Sequence, residues 1–265
     1  MAWYETGYDI IGREEDRQAA NQIPNSFWLK PGEGNKKPII FLDDDPASFS
    51  EHAFKIKGEK FPSPRTCIRP MYPEDPVCCI ELGPMNAYPV GYYTIINCSS
   101  FIDKKGTKRQ YEIELLQAKM RTLKKLKARK QSKTSLVGLV FMVTRTDDKS
   151  PRCGDDFDVD REVKSMDELF PLVMYKGKKL SAIFAEANAA GPEAIAKLGK
   201  TFQLQLDPKT GKILPQLVPF NYEEIFKPKD PRTMRELLRA RIVDATTDFG
   251  GTGPGMKAED DDIPF

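Results

Sequence analysis

Six prolines and three cysteines stand between residues 61 and 89. Proline lacks the amide that a helix interior or a central strand requires, and its ring clashes with the preceding turn. A stretch this dense in it can form neither, so something other than backbone pairing must hold it. Cys67, Cys78 and Cys79 are the available means, and the only histidine, His52, lies just upstream. Five cysteines are an odd number. That argues against a closed set of disulfides and for reduced thiols or metal ligands.

Strand signals surround this loop. Pro38-Ile39-Ile40-Phe41-Leu42 reads as a buried strand ended by Asp43-Asp44-Asp45-Pro46, and residues 52–57 alternate before stopping at Gly58. Residues 91–98 and 135–145 carry the strongest strand patterns. Between them, residues 110–131 read as a helix with Ile113, Leu116, Met120, Leu123 and Leu126 on one face. Short strands, proline-rich loops and one helix before the last strand predict a mainly β chain with some helix (α+β). The expected core is a five-stranded OB-fold barrel with helical and loop additions. Shorter helical signals follow at 165–170, at 184–198 with a break at Gly191-Pro192, and at 221–226 and 231–243. Three parts are expected: an arm over 1–24, a core over 25–243 with a candidate zinc-binding loop at 52–81, and a tail over 244–265.

The totals of 41 Lys and Arg against 39 Asp and Glu give a net charge of +2. A uniformly basic chain is excluded, and local segregation matters more. Residues 119–133 hold Lys119, Arg121, Lys124, Lys125, Lys127, Arg129, Lys130 and Lys133 with no carboxylate among them. Solvated helices usually mix signs at a spacing of four; an unmixed run suits phosphate contact. Lys30, Arg65, Arg69 and Arg145 could extend the track. No stretch approaches the ~18 apolar residues of a membrane span, and no basic segment followed by an apolar one opens the chain, so a cytoplasmic protein is expected. Catalytic patterns are lacking: Gly250 to Gly255 has no following Lys-Ser/Thr. Asp43-Asp44-Asp45 and Asp155-Asp156, with Asp158 and Asp160, read as solvated turns, although a metal-dependent nuclease is what they would otherwise permit.

A glycine-rich tether ends in Glu259, Asp260, Asp261, Asp262, Ile263, Pro264 and Phe265. A solubilising tail does not need an apolar, aromatic end. A docking peptide does, its aspartates steering encounter and Phe265 entering a pocket with a basic rim. The tip closely resembles the end of bacterial single-stranded-DNA-binding proteins.

The body resembles a bacteriophage family of single-stranded-DNA-binding proteins. The pieces that carry the likeness are Trp28-Leu29-Lys30-Pro31-Gly32-Glu33, Ile40-Phe41-Leu42-Asp43-Asp44, the cysteine cluster, Gly91-Tyr92-Tyr93-Thr94-Ile95-Ile96, residues 138–145 and Tyr222-Glu223-Glu224-Ile225-Phe226-Lys227-Pro228. The resemblance implies an OB-fold that coats single strands during phage replication, recombination and repair, and partners of those processes recruited through the tip. It also implies zinc on a His, Cys, Cys-x-x-Cys pattern. Here His52, Cys67 and Cys78 match, whereas the residue at the pattern's fourth position is Glu81; the adjacent Cys79 is taken as the fourth ligand, with Glu81 and Cys98 as the alternatives. Single-strand binders join a cationic groove to aromatic platforms. Candidate platforms are Trp28, Phe41, Phe54, Tyr72, Tyr88, Tyr92, Tyr93 and Phe141, with Trp28, Tyr72 and one of the Tyr92/Tyr93 pair favoured and Phe41 assigned to the core. An adaptor that carries the tail without binding DNA is the rival reading.

Overall fold

A strand whose odd and even residues are both apolar must be covered on both faces, and the central strands of this chain are of that kind. The computed structural model describes residues 24–32, 35–59, 62–102 and 108–241. The expected arm and tail, with the acidic tip at 260–265, therefore lie outside the described residues, apart from positions at their inner edges.

In chain order the strands and helices begin with β1 (Lys37–Phe41), β2 (Ala47–Phe54), β3 (Ser63–Thr66) and α1 (Val77–Leu82). Next come β4 (Tyr88–Asn97), β5 (Phe101–Ile102), β6 (Lys108–Arg109), β7 (Glu112–Lys119) and α2 (Met120–Lys133). After β8 (Leu139–Thr144) and β9 (Asp156–Glu162) follow α3 (Met166–Leu169), β10 (Met174–Tyr175), β11 (Lys178–Lys179), α4 (Leu180–Ala190) and α5 (Pro192–Gly199). Helices α6 (Tyr222–Ile225) and α7 (Pro231–Arg239) close the described chain.

Nine strands form one sheet in the order β11-β10-β7-β4-β1-β8-β9, with β2 added to β4 and β3 paired to β2. The chain is thus α+β, as expected, but a closed five-stranded barrel is not what the sheet forms. Among the described residues no ladder joins β7 to β9, where such a barrel would close. Instead residues 25–29 run between β7 and the loop that precedes β9: the Phe27 amide donates to the Leu115 carbonyl at 2.7 Å and the Leu29 amide to the Arg152 carbonyl at 2.8 Å.

One face of the sheet packs Phe41, Tyr93, Ile95, Leu116, Phe141 and Phe157 with Leu29 and with Leu126 of α2. The opposite face packs Ile40, Tyr92, Ile96, Leu115 and Val140 under a layer from residues 163–226 that includes Phe170, Phe184, Phe202 and Phe220. Gly91 lets α2 lie on β4, because a Cβ there would meet Leu123 Cδ2 at 2.6 Å and Pro46 Cβ at 2.9 Å.

One expectation fails in an instructive way. The helix expected over 110–131 begins only at Met120, because 112–119 form β7 in antiparallel register with β4, from Val90↔Lys119 to Asn97↔Glu112. With both faces covered, Ile113 and Leu115 point one way and Leu116 and Ala118 the other. Such a run has no polar face to show its period of two. The strand expected over 135–145 is likewise shorter, since Ser135 and the amides of Leu136 and Val137 turn to the Asp44 carboxylate.

Candidate nucleic-acid interface and metal centre

Residues 55–87 leave the sheet after β2 and return at β4, and they carry the proline-rich loop. Among their described residues the only ladder is that of β3 with β2, over four residue pairs. Four donors gather beneath it: His52 on β2, Cys67 just past β3, and Cys78 and Cys79 in the first turn of α1, all buried and with ligand atoms within 4.8 Å of one another. Adjacent helical residues point about 100° apart, which brings both α1 thiols toward Cys67. Its sulfur lies 3.7 Å from Cys78 Sγ and 3.4 Å from Cys79 Sγ, and Cys79 Sγ lies 3.5 Å from His52 Nε2. A tetrahedral site with metal–sulfur bonds near 2.3 Å and metal–nitrogen bonds near 2.05 Å has edges of about 3.8 and 3.6 Å. The four side chains could hold a metal ion.

The choice among candidate ligands is therefore Cys79. Glu81 is exposed and is not among the side chains whose ligand atoms converge, and Cys98 packs beside the Ile96 carbonyl in another core. His52 is 1% exposed; its Nε2 faces Cys79 Sγ, and its Nδ1 has no hydrogen-bond partner among the described residues. Burial pushes the Cys67 and Cys79 thiols up, and Arg69 opposes the shift, by its backbone N–H at Cys67 and by its charge at Cys79. Arg69 thus sits beside the thiols. Helix α7 covers the cluster with Met234 and Leu238, and Arg235 pairs with Asp75 at 2.5 Å.

Next to this module is a cleft of about 660 Å³. Its walls come from residues 26–31, Gln117 and Lys119 of β7, Pro64 of β3, and the loop with Arg145, Pro151, Arg152 and Cys153. Four cations and no carboxylate line it. Trp28 is 54% exposed, an unusual position for so large an apolar surface. Lys119 Nζ lies 5.8 Å from the centre of the Tyr88 ring. Gly154, at φ +101°, lets the loop close on the core that holds Phe41 and Phe141, since a Cβ would stand 2.3 Å from Val143 Cγ1.

Trp28, Lys30, Lys119 and Arg145 thus meet in one place, while the other expected contacts do not join them. Tyr92 and Tyr93 point to opposite faces as expected, but both are buried, at 4% and 3%. Tyr92 stacks on Phe226 at 4.0 Å and donates to Glu51 Oε1 at 2.6 Å; Tyr93 meets Phe41 edge-on at 5.3 Å. Neither ring is open to a base, because the layer from residues 163–226 covers Tyr92 and the core on the opposite face covers Tyr93. Tyr72 packs half-buried on the small core around the cysteine cluster.

The basic helix α2 is partly answered from elsewhere in the chain. Lys125 donates to the Asp155 carbonyl, Arg129 lies 3.1 Å from Asp158, and Lys130 lies 2.6 Å from Asp45. Arg121, Lys124 and Lys127 remain exposed. Sequence reasoning missed Gln117, Pro64 and Arg152 in the cleft, and Lys37 behind it. Their only local signal is a cation beside proline, in Lys37-Pro38 and Pro151-Arg152. The aspartates have local roles: Asp43 accepts from the Thr94 amide, and Asp155 accepts from Thr146 and Ser150.

Among the described residues no helix is long and apolar enough to cross a membrane. Compared with protein-family models, with curated proteins and with solved structures, the chain matches none.

Proposed function

We propose that this protein binds single-stranded DNA without regard to sequence, on an elaborated OB-type sheet, and serves phage replication, recombination and repair. The reading rests on where the cleft lies. Strands β1 and β2, broken only by residues 42–46, both pair with β4; β4 pairs with β7; β1 pairs with β8 and β8 with β9. A helix, α2, separates the third of these units from the fourth. That pairing order, with residues 25–29 at the seam, supports a barrel of OB type opened at one edge. In OB-folds the ligand face is formed by strands 2 and 3 and by the loops that follow strands 1 and 4. The cleft has the corresponding position, with β7, Pro64 of the first loop and residues 145–153 of the second around it.

The chemistry suits an unpaired strand. The Trp28 indole offers a face to any base, worth ~1–3 kcal/mol per stacked base, and Lys30, Lys119 and Arg152 offer charge to the backbone. Exposed Arg121, Lys124 and Lys127 extend the positive surface. In this reading His52, Cys67, Cys78 and Cys79 hold zinc, which when bound clamps the proline-rich loop so that Pro64 keeps its place at the cleft. The acidic tip at 260–265 recruits partner proteins. The protein is not an enzyme in this account.

A salt titration of affinity for oligo-dT and for duplex of equal length tests it. Strong preference for oligo-dT is expected, with a logarithmic salt slope near −2 if three phosphates are met at ~0.7 each. Trp28→Ala should weaken oligo-dT binding by ~1–3 kcal/mol. Equal affinity for duplex, or no loss in Trp28→Ala, defeats the proposal.

A further inference from the structure

The backbone of residues 28–32 is held by cations that do not point into the solvent. Arg145 follows β8 and is 8% exposed. Its Nε donates to the Ser150 carbonyl at 3.0 Å, Nη1 to the Leu29 carbonyl at 3.2 Å and Nη2 to the Asp148 carbonyl at 2.7 Å. Its own carbonyl accepts from the Gly32 amide at 3.1 Å. From β1, Lys37 Nζ donates to the Trp28 carbonyl at 3.0 Å and stands 5.7 Å from the centre of the Trp28 ring. Two successive carbonyls, those of Trp28 and Leu29, are thus each fixed by a cation, one on β1 and one just past β8.

A guanidinium carries five N–H donors in a rigid fork. Here each of its three nitrogens is already committed to a carbonyl, and the carbonyls come from three separate points: the segment bearing Trp28 and both limbs of the 146–150 turn. An ammonium could not span them in the same way. A cation that serves phosphate instead keeps its donors directed outward, as exposed Lys30 can.

We propose that Arg145 is a positioning residue for strand binding: it fixes residues 28–32 so that Trp28 is presented at the cleft, and it neutralises no phosphate. This rests on the cleft being the single-strand groove. The consequence is a division of labour, with Lys30 supplying charge and Arg145 supplying order.

The test uses full-length protein carrying Trp3→Phe, which leaves Trp28 as the only tryptophan. Fluorescence anisotropy of Trp28 is read without DNA, and oligo-dT affinity is read across salt. Arg145→Gln should lower the anisotropy and weaken binding about tenfold, within the range of a lost stack, with the salt slope unchanged. Lys30→Ala should make the slope shallower by ~0.7 and leave the anisotropy alone. A shallower slope in Arg145→Gln with unmoved anisotropy overturns the proposal. If circular dichroism shows that Arg145→Gln does not fold, Arg145→Lys keeps the charge and loses the fork; lowered anisotropy at unchanged slope supports the assignment, and parent-like anisotropy overturns it. Should the parent protein ignore oligo-dT, the groove reading fails by itself, and the DNA-free anisotropy still decides whether Arg145 orders Trp28.

Discussion

Strands β1, β4, β7 and β8 are joined by continuous ladders, eight residue pairs long between β4 and β7, and apolar side chains cover both their faces. The loop over 55–87 has one ladder of four pairs and a small core made of Cys67, Ile68, Val77, Cys78 and Cys79 with Met234 and Leu238 of α7. The first region can be stable on burial alone. The second cannot bury enough to offset the entropy of ordering a long loop, and it places four ligand-type side chains where a hydrophobic core would otherwise have to be. The regions therefore answer to different perturbations, although they meet at the cleft.

The largest effect that could break this comparison is removal of metal. Ligation supplies ~10 kcal/mol or more in small structural zinc modules. Protein purified with zinc should hold one ion per chain, and chelation should expose the amides of 62–82 and of α7 to hydrogen exchange while β4 and β7 keep their protection. Cys78→Ser should behave as the chelated protein does. If β4 loses protection in parallel, the two regions are one cooperative unit and the contrast is wrong.

The reverse perturbation is Phe41→Ala. Phe41 has no exposed surface and meets Tyr93 and Phe141 edge-on, each at 5.3 Å. Truncating a buried aromatic costs ~3–5 kcal/mol. Denaturant unfolding followed by β-sheet circular dichroism should show that loss, with metal content unaltered in the folded protein.

The sequence carried these two regions unequally. Prolines and cysteines marked the loop at once, since their chemistry is local, and all four side chains that could hold a metal ion were named from it; only the first turn of α1 decides for Cys79 over Glu81. In the sheet, β1 and β4 were legible as apolar runs. β7 was not, because a strand covered on both faces loses its alternation and Leu116 and Leu123 happen to fall at helical spacing. The cleft was legible only as Trp28, Lys30, Lys119 and Arg145, scattered along the chain, and the role of Arg145 is set by carbonyls, which no side-chain pattern records. The burial of Tyr92 depends on Phe226 and that of Tyr93 on Phe41. The charge of α2 was plain, yet Asp45 and Asp158, which answer it, come from the turn after β1 and from β9.

A smaller effect sharpens the comparison within the sheet itself, where one polar pin crosses an apolar interface. Asp43 accepts from the Thr94 amide and from the Tyr222 hydroxyl, each at 2.5 Å, and Thr94 Oγ1 lies 2.6 Å from that hydroxyl. The turn after β1, strand β4 and helix α6 are joined there. Burial raises the Asp43 pKa to about 6, against the opposing pull of the Tyr222 and Thr94 hydrogen bonds. The unfolded chain titrates near 3.9, so the folded state binds this proton more tightly. Its contribution is complete below about pH 4 and is lost as pH rises through about 6, a change of at most ~3 kcal/mol. Asp43→Asn cannot ionise and can still accept both hydrogen bonds through its side-chain oxygen. Urea unfolding at pH 4 and at pH 8 should therefore show the parent protein losing ~2–3 kcal/mol more than Asp43→Asn, a difference from which other raised carboxyls, such as Glu114 at about 7, cancel. Equal losses in the two proteins would mean that Asp43 stays ionised in the fold and that the pin is held by charge rather than by shared protons.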